Sequence, residues 1–393
     1  MRIAVIGAGI GGLTLANGLQ RAGVDVSVFE RAYEPPMSGS GLSVFGNGWR
    51  ALDAVGVGDA VREIAGSAVT GLQAGQRTPN GSWLARTPMR ALTALRIVHR
   101  AELHAVLEAQ LRPGTVLYAH AAHVSGTDGL LALEAPGGNT VQRFPVVVGA
   151  DGIRSATRSA MGLDTGVRYA GYSTWRGITS SPVDLHGAAG ETWGRGLRFG
   201  YAPLQDGRVY WFAVATMPAQ ADVEDELGHV RARFTGWHDP IAALLEATDP
   251  AGVFRLPIED LDRPLSAFHR GRCVLLGDAA HAMTPDLGQG GNQAMEDAAD
   301  LTARLHAQLA DGSADPDGVA AALDGYDRAR RVRTQAVAAR ARSVGRVAQA
   351  GGPVSASLRN ALLRATPSAA LARQLDELQS WTPPTTHTQE RSA

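Results

Sequence analysis

The 393-residue sequence contains no lysine, and all 37 of its basic Lys/Arg positions are arginine. Without lysine, Schiff-base chemistry on a lysine amine and a Walker-type phosphate loop are both excluded. Only one cysteine is present, Cys273, so an intramolecular disulfide and any zinc or iron–sulfur site built from cysteines are excluded as well. A chain that needs no disulfides suits a reducing compartment, and we expect it in the cytoplasm.

Long apolar runs and an excess of one charge are also missing. No stretch of about 18 consecutive apolar residues occurs, so no membrane span is expected. The 37 basic and 38 acidic residues nearly cancel, which argues against a nucleic-acid partner. His120 and His123 have no apparent third ligand in the sequence, so no metal site is expected. A chain of this length suits two or three domains with their own cores.

What is present begins with a strand, a glycine-rich loop, a helix and a second strand. Residues 2–6 and 24–30 have the apolar pattern of buried strands, and residues 13–22 have that of a helix. The loop between the first strand and the helix, Gly7-Ala8-Gly9-Ile10-Gly11-Gly12, fits G-x-G-x-x-G, and the second strand ends at Glu30. In this context the motif predicts a dinucleotide-binding βαβ unit.

Each conspicuous residue of this unit has a physical role. Gly7 permits the tight turn, Gly9 allows a pyrophosphate to approach the backbone, and Gly12 allows the helix to pack on the strand. Unpaired N–H groups and the positive dipole at the helix N-terminus favour phosphate. The carboxylate of Glu30 suits the hydroxyls of an adenosine ribose and repels a 2′-phosphate, so FAD or NAD fits better than NADP.

Two later strands also end beside an aspartate. The strand predicted at 144–149 leads into Asp151-Gly152, and a strand from Cys273 leads into Gly277-Asp278 and then a glycine-rich loop at 288–291. Asp278 can accept hydrogen bonds from ribityl hydroxyls, and free loop N–H groups can face the electron-rich edge of a flavin. Each short motif alone also fits a strand end with an Asp cap, but together the three motifs indicate FAD.

These three motifs, in this order, resemble the class A flavoprotein monooxygenases, the family of single-component FAD-dependent aromatic hydroxylases. The resemblance covers about residues 1–350, and Arg100 matches the start of the family's Arg-x-x-Leu segment. By position, it implies that the FAD-binding residues are Gly7, Gly9, Gly11, Gly12, Glu30, Arg31, Arg100, Val124, Asp151, Asp278, Gly288, Gln289, Gly290, Gly291 and Asn292.

The stretch at 169–177 is similar to the branch that contains salicylate, hydroxynicotinate and urate hydroxylases. Urate-type members carry Asn before the Trp of this stretch, whereas this chain carries Thr174, which argues against urate as the substrate. No second G-x-G-x-x-G follows, which agrees with a family in which NAD(P)H binds only transiently.

The resemblance implies an enzyme that uses NAD(P)H and O₂, through a flavin C4a-hydroperoxide, to hydroxylate a small aromatic or heteroaromatic substrate. Three alternatives remain: an epoxidase or tailoring oxygenase of a secondary metabolite, an FAD reductase that inserts no oxygen, and a non-catalytic FAD-binding protein. The expected partners are the substrate and O₂, without nucleic acid or membrane, in a monomer or homodimer.

Three residues on predicted strands are candidates for holding the substrate. Arg198 is placed to bind an anion, and Tyr210 is placed to orient the substrate or deprotonate it. Phe212 shares the face of Tyr210 because side chains alternate along a strand, and it suits one wall of an aromatic pocket. In related hydroxylases an Arg and a Tyr at matching positions hold the substrate. A solvated Arg and a core Tyr are the alternative interpretation.

Three further residues complete the candidate site. Trp175 is a second candidate wall, although aromatics on a sheet are often only core. The resemblance places Pro285 beside the reactive edge of the flavin. Asp286 follows it and suits either an assisting base or a loop cap.

The predicted fold class is α/β, with a Rossmann-like FAD-binding domain, an inserted antiparallel sheet and C-terminal helices. The discontinuous FAD-binding domain is expected at 1–70, 97–165 and 266–350, and the substrate-binding sheet at 71–96 and 166–265. A helical segment is expected at 351–381 and a disordered tail at 382–393. Leucines in the helical segment suit either packing on their own domain or a dimer seam.

Overall fold

The computed structural model describes residues 2–35, 40–66, 71–309 and 315–384. Its strands are β1 (Arg2–Ile6), β2 (Asp25–Glu30), β3 (Gly41–Val44), β4 (Gln73–Arg77), β5 (Trp83–Thr87), β6 (Arg96–His99), β7 (Val116–Tyr118), β8 (Ala121–Val124), β9 (Leu130–Ala135), β10 (Gly138–Arg143), β11 (Val147–Gly149), β12 (Val167–Ile178), β13 (Ala188–Trp193), β14 (Leu197–Pro203), β15 (Val209–Thr216), β16 (Phe254–Leu261), β17 (His269–Arg270) and β18 (Cys273–Leu275). Its helices are α1 (Ile10–Arg21), α2 (Gly46–Ala54), α3 (Gly58–Ile64), α4 (Arg100–Ala109), α5 (Ala156–Ala160), α6 (Glu226–Arg233), α7 (Ile241–Glu246), α8 (Asp278–His281), α9 (Gly290–Leu309), α10 (Pro316–Ala348), α11 (Pro353–Ala365) and α12 (Ser368–Gln379).

A six-stranded sheet in the order β17-β18-β11-β1-β2-β7 forms the first layer. All of its pairings are parallel except the one between β17 and β18. Continuous apolar runs make its central strands buried, and α1 packs against α9, which in turn packs against α10. Because parallel strands end at the same edge, the segments that follow β1, β2, β11 and β18 meet there. This is the predicted Rossmann-like core, and the predicted fold class is confirmed.

A seven-stranded sheet in the order β16-β12-β15-β14-β13-β4-β5 forms the second layer. Its pairings are antiparallel except for β13 with β4. One of its faces buries Phe199 and Trp211 against α6 and α7 through apolar residues such as Leu227 and Leu244. These two helices were not expected from the sequence, which predicted a sheet throughout residues 166–265.

Several boundaries differ from the sequence expectation. Residues 35–48 are rich in Pro, Gly and Ser, which predicts a loop, but where described they contain β3 and the start of α2, because Gly41–Val44 pairs with β6. The C-terminal segment forms α11 and α12, and each begins beside a proline, Pro353 or Pro367. Most of the tail predicted as disordered, residues 385–393, lies outside the described residues. Within the described part of the chain, no helix has the length and apolar character needed to cross a membrane. The domain boundaries remain predictions.

Candidate functional site

The glycine-rich loop between β1 and α1 is built as its three key positions require. Gly7 has φ +106°, and a Cβ there would lie 2.5 Å from the carbonyl oxygen of Ala150. A Cβ on Gly12 would lie 2.1 Å from the carbonyl oxygen of Gly7, so helix and strand touch at this point. A Cβ on Gly9 would meet nothing within 4 Å. The loop therefore needs glycine for folding at Gly7 and Gly12, whereas Gly9 borders open space.

The end of β2 turns a carboxylate toward this loop. The backbone N–H of Ala8 donates to Oε2 of Glu30 at 2.9 Å, and that of Ala32 donates to Oε1 at 2.9 Å. Glu30 is thereby fixed beside the glycine loop, while the neighbouring Arg31 is exposed. Val124, at the end of β8, is partly buried against the core and does not line the cavity described below.

The Asp151-Gly152 turn after β11 uses its carboxylate within the chain. Asp151 accepts hydrogen bonds from the hydroxyls of Ser155 and Thr157 and from the backbone N–H of Thr157. These bonds fix the start of α5 and leave Ala150 and Gly152, not the Asp151 side chain, in contact with the cavity. Asp151 thus shapes the turn in the described structure.

The third glycine-rich segment lies between α8 and α9. Asp278, Gly288, Gly290 and Gly291 line the cavity. Asn292 holds the segment from behind: it accepts the N–H of Phe45 at 2.9 Å and donates to the carbonyls of Ser43 and Gly288 at 2.8 and 2.9 Å. Gln289 is buried and accepts a hydrogen bond from Asn47 at 3.0 Å.

A cavity of about 350 Å³ joins the glycine segments to the second sheet. Its volume lies within the range of small-ligand sites. The side nearest the six-stranded sheet is lined by Gly9, Ile10, Gly11, Gly12, Leu42, Ser43, Arg100, Gly152, Asp278, Gly288, Gly290 and Gly291. The side nearest the seven-stranded sheet is lined by Tyr172, Thr174, Arg176, Glu191, Arg198, Tyr210, Phe212 and Val214, with Pro285 and Asp286 at its edge.

The alternation of side chains along β12 decides which of its residues reach this cavity. Tyr172, Thr174 and Arg176 line it, so Trp175 faces the opposite side of the sheet. There Trp175 is fully buried, donates its indole N–H to Glu226 and stacks on His229 with ring centroids 5.3 Å apart. The prediction that Trp175 walls the substrate is therefore wrong, and its neighbour Arg176 occupies the cavity face instead.

Arg198 lies in a cluster of buried charges. Its Nη2 is 2.7 Å from Oδ1 of Asp286, its Nη1 is 3.7 Å from Oε2 of Glu191, and its Nε donates to Gln349 at 2.9 Å. Burial disfavours the Arg198 charge, but Glu191 and Asp286 together raise its pKa above the usual value. The hydroxyl of Tyr172 donates to Oδ2 of Asp286 at 2.6 Å. Arg198 thus already has counterions without a ligand.

Glu191 and Tyr210, on the same face, also have raised pKa values. Burial raises the pKa of Glu191, although Arg198 and a hydrogen bond from Trp193 oppose the change. Burial also raises the pKa of Tyr210, with Arg176 opposing and Glu191 assisting. The Tyr210 phenol is therefore protonated at neutral pH, so it can donate a hydrogen bond but is a poor base.

A network of buried ionic side chains supports the cavity loop from behind. His281 Nε2 is 2.6 Å from Oδ2 of Asp297, and Arg330 Nε is 2.7 Å from Oδ1 of the same carboxylate. Asp297 also accepts the N–H of Gly277, which precedes Asp278. The sequence analysis did not predict this network, because buried charged residues produce no distinct hydrophobic periodicity in the sequence.

Comparisons with known proteins agree with this geometry. Residues 1–341 match the family model described as FAD binding domain. Aurachin C monooxygenase/isomerase of Stigmatella aurantiaca is 34% identical over 377 residues, which cover 93% of this chain and 94% of that protein. FAD-dependent urate hydroxylase of Mycolicibacterium vanbaalenii is 33% identical over 358 residues, which cover 87% of each chain.

A solved structure has the same architecture. Klebsiella pneumoniae HpxO complexed with FAD and uric acid superimposes with a TM-score of 0.84 at 27% sequence identity, and the match covers 97% of both chains. The predicted cofactor, FAD, and the predicted activity, hydroxylation of an aromatic or heteroaromatic compound, are thereby confirmed. The chain therefore belongs to the class A flavoprotein monooxygenases, the FAD-dependent aromatic hydroxylases that its three motifs resemble.

Proposed function

We propose that this protein uses NAD(P)H and O₂ to hydroxylate a small aromatic or heteroaromatic compound bound against the seven-stranded sheet. One observation carries the proposal: a single cavity has glycine segments on one side and an aromatic, ionic sheet face on the other. A cofactor on the first side and a substrate on the second would meet within that cavity.

The residues on the glycine side fit FAD. The space beside Gly9, which a Cβ would enter without meeting any atom within 4 Å, suits a pyrophosphate at the N-terminus of α1. Arg100 supplies a cation, and Asp278 supplies an acceptor for ribityl hydroxyls. Glu30, fixed by two backbone N–H groups, suits the ribose. Bound FAD supplies the redox chemistry that activates O₂, with electrons from NAD(P)H.

The residues on the sheet side bind and orient the substrate in this proposal. The ring of Phe212 offers a stacking surface, and the protonated phenol of Tyr210 offers a hydrogen-bond donor. Pro285 lies at the edge of this side, and the apolar Val214 helps to keep water away from the reacting ring. The ion pair between Arg198 and Asp286 makes this part of the cavity wall polar.

The relatives named above act on different compounds, aurachin C and urate, at nearly equal identity to this chain. Overall identity therefore does not indicate the substrate, and we expect the substrate of this chain to depend on the residues of its own sheet face. Thr174 lines the cavity, and the family resemblance implies Asn at this position in urate-type members, which supports a substrate other than urate. The epoxidase and reductase alternatives have no specific support in the cavity.

The test is oxygen incorporation by the purified holoenzyme. We expect a yellow protein with bound FAD, and oxidation of NADH or NADPH that is stimulated by an aromatic compound and transfers ¹⁸O from ¹⁸O₂ to the product, as measured by mass spectrometry. Phe212→Leu should lower the yield of labelled product while FAD stays bound. Arg208→Gln, a matched change outside the cavity where the guanidinium pairs with Asp206, should alter neither. Oxidation of NAD(P)H that labels no member of an aromatic panel would refute the proposal in favour of a reductase.

A further inference from the structure

One cation on the cavity wall has no counterion. The guanidinium of Arg176 lines the cavity from β12, and within the described ranges no carboxylate lies within 4.0 Å of it. Its Nε is shielded from solvent and has no hydrogen-bond partner among the described residues. Arg198, the residue that the sequence suggested for anion binding, already lies 2.7 Å from Asp286. The unmatched positive charge of this wall is therefore at Arg176.

The strand register places Arg176 at the end of a row of cavity residues. Arg176 on β12 pairs with Phe212 on β15, Phe212 pairs with Gly200 on β14, and Gly200 pairs with Glu191 on β13. Three strand spacings separate the two ends of this row, which is about 14 Å between Cα atoms.

An aromatic ring fills the middle of the row. A Cβ on Gly200 would lie 2.2 Å from the ring of Phe212, so that ring covers the glycine. Tyr210 lies on the same face, near enough to Arg176 for the cation to oppose the rise that burial causes in the pKa of the phenol. The arrangement is a flat surface with a cation at one end and Glu191, whose burial favours the protonated form, at the other.

We propose that Arg176, and not Arg198, is the arginine of this cavity wall that binds an anionic oxygen of the substrate. A carboxylate or an ionised ring hydroxyl would satisfy the unpaired guanidinium, and a guanidinium accepts such oxygens through two parallel hydrogen bonds. The ring of that anion would stack on Phe212. The proposal rests on the proposed function, because it puts the hydroxylated compound in the same cavity.

The geometry also gives Arg198 a different role. Its charge is compensated by Asp286 at 2.7 Å, so an incoming anion would have to displace a carboxylate that is already in place. Arg198 is a positioning residue that holds Asp286, whereas Arg176 meets the ligand.

The experiment measures binding without turnover, so it is independent of the oxygenase reaction. The FAD-bound protein, without NAD(P)H, is titrated with matched pairs of probes, and the change in flavin absorbance gives each Kd. Benzoate with benzamide, and 2-naphthoate with 2-naphthamide, test the carboxylate. The 4-nitrophenolate ion with 4-nitroanisole tests the ionised hydroxyl.

We expect at least one anion of these pairs to bind the wild-type protein about tenfold or more tightly than its neutral partner, since a charge-assisted hydrogen bond in a partly buried site contributes at least that much. Arg176→Gln should remove this preference, and Arg176→Lys should retain part of it because it keeps the charge but not the fork. Arg208→Gln, which removes one positive charge from the turn between β14 and β15, outside the cavity, should keep the full preference.

Three results would overturn the proposal. One is a wild-type protein that prefers none of the anions. Another is full preference for the anion in Arg176→Gln, or in Arg176→Lys if Arg176→Gln does not fold. The third is loss of FAD from a folded Arg176 variant, which would assign the guanidinium to the cofactor. In each case ¹⁸O transfer by the wild-type enzyme can persist, so failure here is distinct from failure of the proposed function.

Discussion

At the scale of single residues, the glycines of the first motif separate folding from binding. Gly12 touches the backbone of Gly7, so its missing side chain is a requirement of the fold. A Cβ on Gly9 would meet nothing within 4 Å, so its missing side chain matters only to what binds beside it. Both roles follow from the motif, but only coordinates distinguish a contact with the chain from a contact with a ligand.

The two glycines therefore give a matched pair of substitutions. We expect Gly9→Ala to fold with the melting temperature of the wild-type apoprotein but to bind FAD at least about tenfold more weakly, because the methyl group would enter the space that we propose for the pyrophosphate. Gly12→Ala should destabilise the apoprotein by about 2 kcal/mol or more, because the backbone must move. Thermal unfolding and FAD titration measure both effects.

The control for this pair is Gly137→Ala, in the turn between β9 and β10, where a Cβ would also meet nothing within 4 Å. It should change neither stability nor FAD affinity appreciably. If Gly9→Ala bound FAD as tightly as Gly137→Ala does, the pyrophosphate would have to lie elsewhere.

The raised pKa of Tyr210 gives a second prediction at this scale. Burial keeps the phenol protonated beyond the usual tyrosine range near pH 10, so it should act as a donor and not as a base. We expect Tyr210→Phe to lower kcat/KM by about tenfold, the loss of one hydrogen bond, without changing the basic limb of the pH profile. Steady-state rates across pH measure this.

Tyr33→Phe, at an exposed position outside the cavity, is the control and should match the wild type. A basic limb that disappears in Tyr210→Phe alone would show that the phenolate takes part after all.

At the scale of elements, α9 and α10 are held together by buried charges and not only by apolar packing. Glu296 and Asp297 on α9 face Arg330 on α10, and all three side chains are at most 1% exposed. Asp297 also holds the N–H of Gly277 and the ring of His281. The two helices thus fix the turn from which Asp278 reaches the cavity.

This pairing predicts a stability that depends on pH. Burial alone would raise the pKa of Asp297, but His281 and Arg330 lower it to about 2. Because the folded-state pKa lies below that of the unfolded chain, the ionised carboxylate stabilises the fold at neutral pH, and this contribution is lost as the pH falls from about 5 to 2. We expect Asp297→Asn to be less stable than the wild type by on the order of 2 kcal/mol at pH 7, with a smaller difference near pH 3. Urea unfolding at several pH values measures it.

Asp376→Asn, at an exposed position on α12, is the matched control and should be neutral throughout. A stability difference for Asp297→Asn that stays constant between pH 7 and pH 3 would contradict an ionised, stabilising Asp297.

At the scale of the whole molecule, the C-terminal helix ties distant parts of the chain together. The side chain of Gln379 accepts the N–H of Gly46 at 3.0 Å and donates to the carbonyl of Ala91 at 3.2 Å. Arg333 on α10 donates to the carbonyl of Leu378 at 2.8 Å. The end of α12 thus links α10 to the start of α2, close to the strand β3 that lines the cavity.

A single substitution tests this link. Gln379→Ala removes two hydrogen bonds to backbone groups and should lower the stability by about 1–2 kcal/mol, seen as a fall of a few degrees in melting temperature. Gln374→Ala, one exposed turn earlier on the same helix, is the control and should leave the melting temperature unchanged within about one degree. Equal melting temperatures for both variants would mean that the hydrogen bonds of Gln379 to Gly46 and Ala91 do not stabilise the fold.

Much of the FAD side could be predicted from the sequence because its signals are local. The G-x-G-x-x-G loop, Glu30 and Asp278 each follow a strand, and parallel strands bring such ends to one edge. Asp151 was identified by the same pattern, although its carboxylate is engaged by Ser155 and Thr157 in the folded chain. A sequence pattern predicts which residues come together, but not which of their polar atoms remain free to bind a ligand.

The sheet side of the cavity, where we propose that the substrate binds, was predicted less well, because the residues that line it depend on the face that each strand presents and on long-range strand pairing. Side chains alternate between the two faces of a strand, and this alternation placed Phe212 on the cavity face, as the structure does. For β12 the sequence does not say which face is turned to the cavity. The aromatic character of Trp175 favoured its face, but that face packs in the core.

The sequence by itself determined the family, the cofactor and the parallel core, since short motifs with fixed stereochemical demands encode them. The tertiary structure alone decided which arginine keeps a free charge. Arg198 and Arg176 are indistinguishable as letters, and only the folded chain brings Asp286 to the first and leaves the second facing the cavity without a carboxylate among the described residues. The physical reason is that electrostatic compensation depends on distances across the fold, and no local pattern contains them.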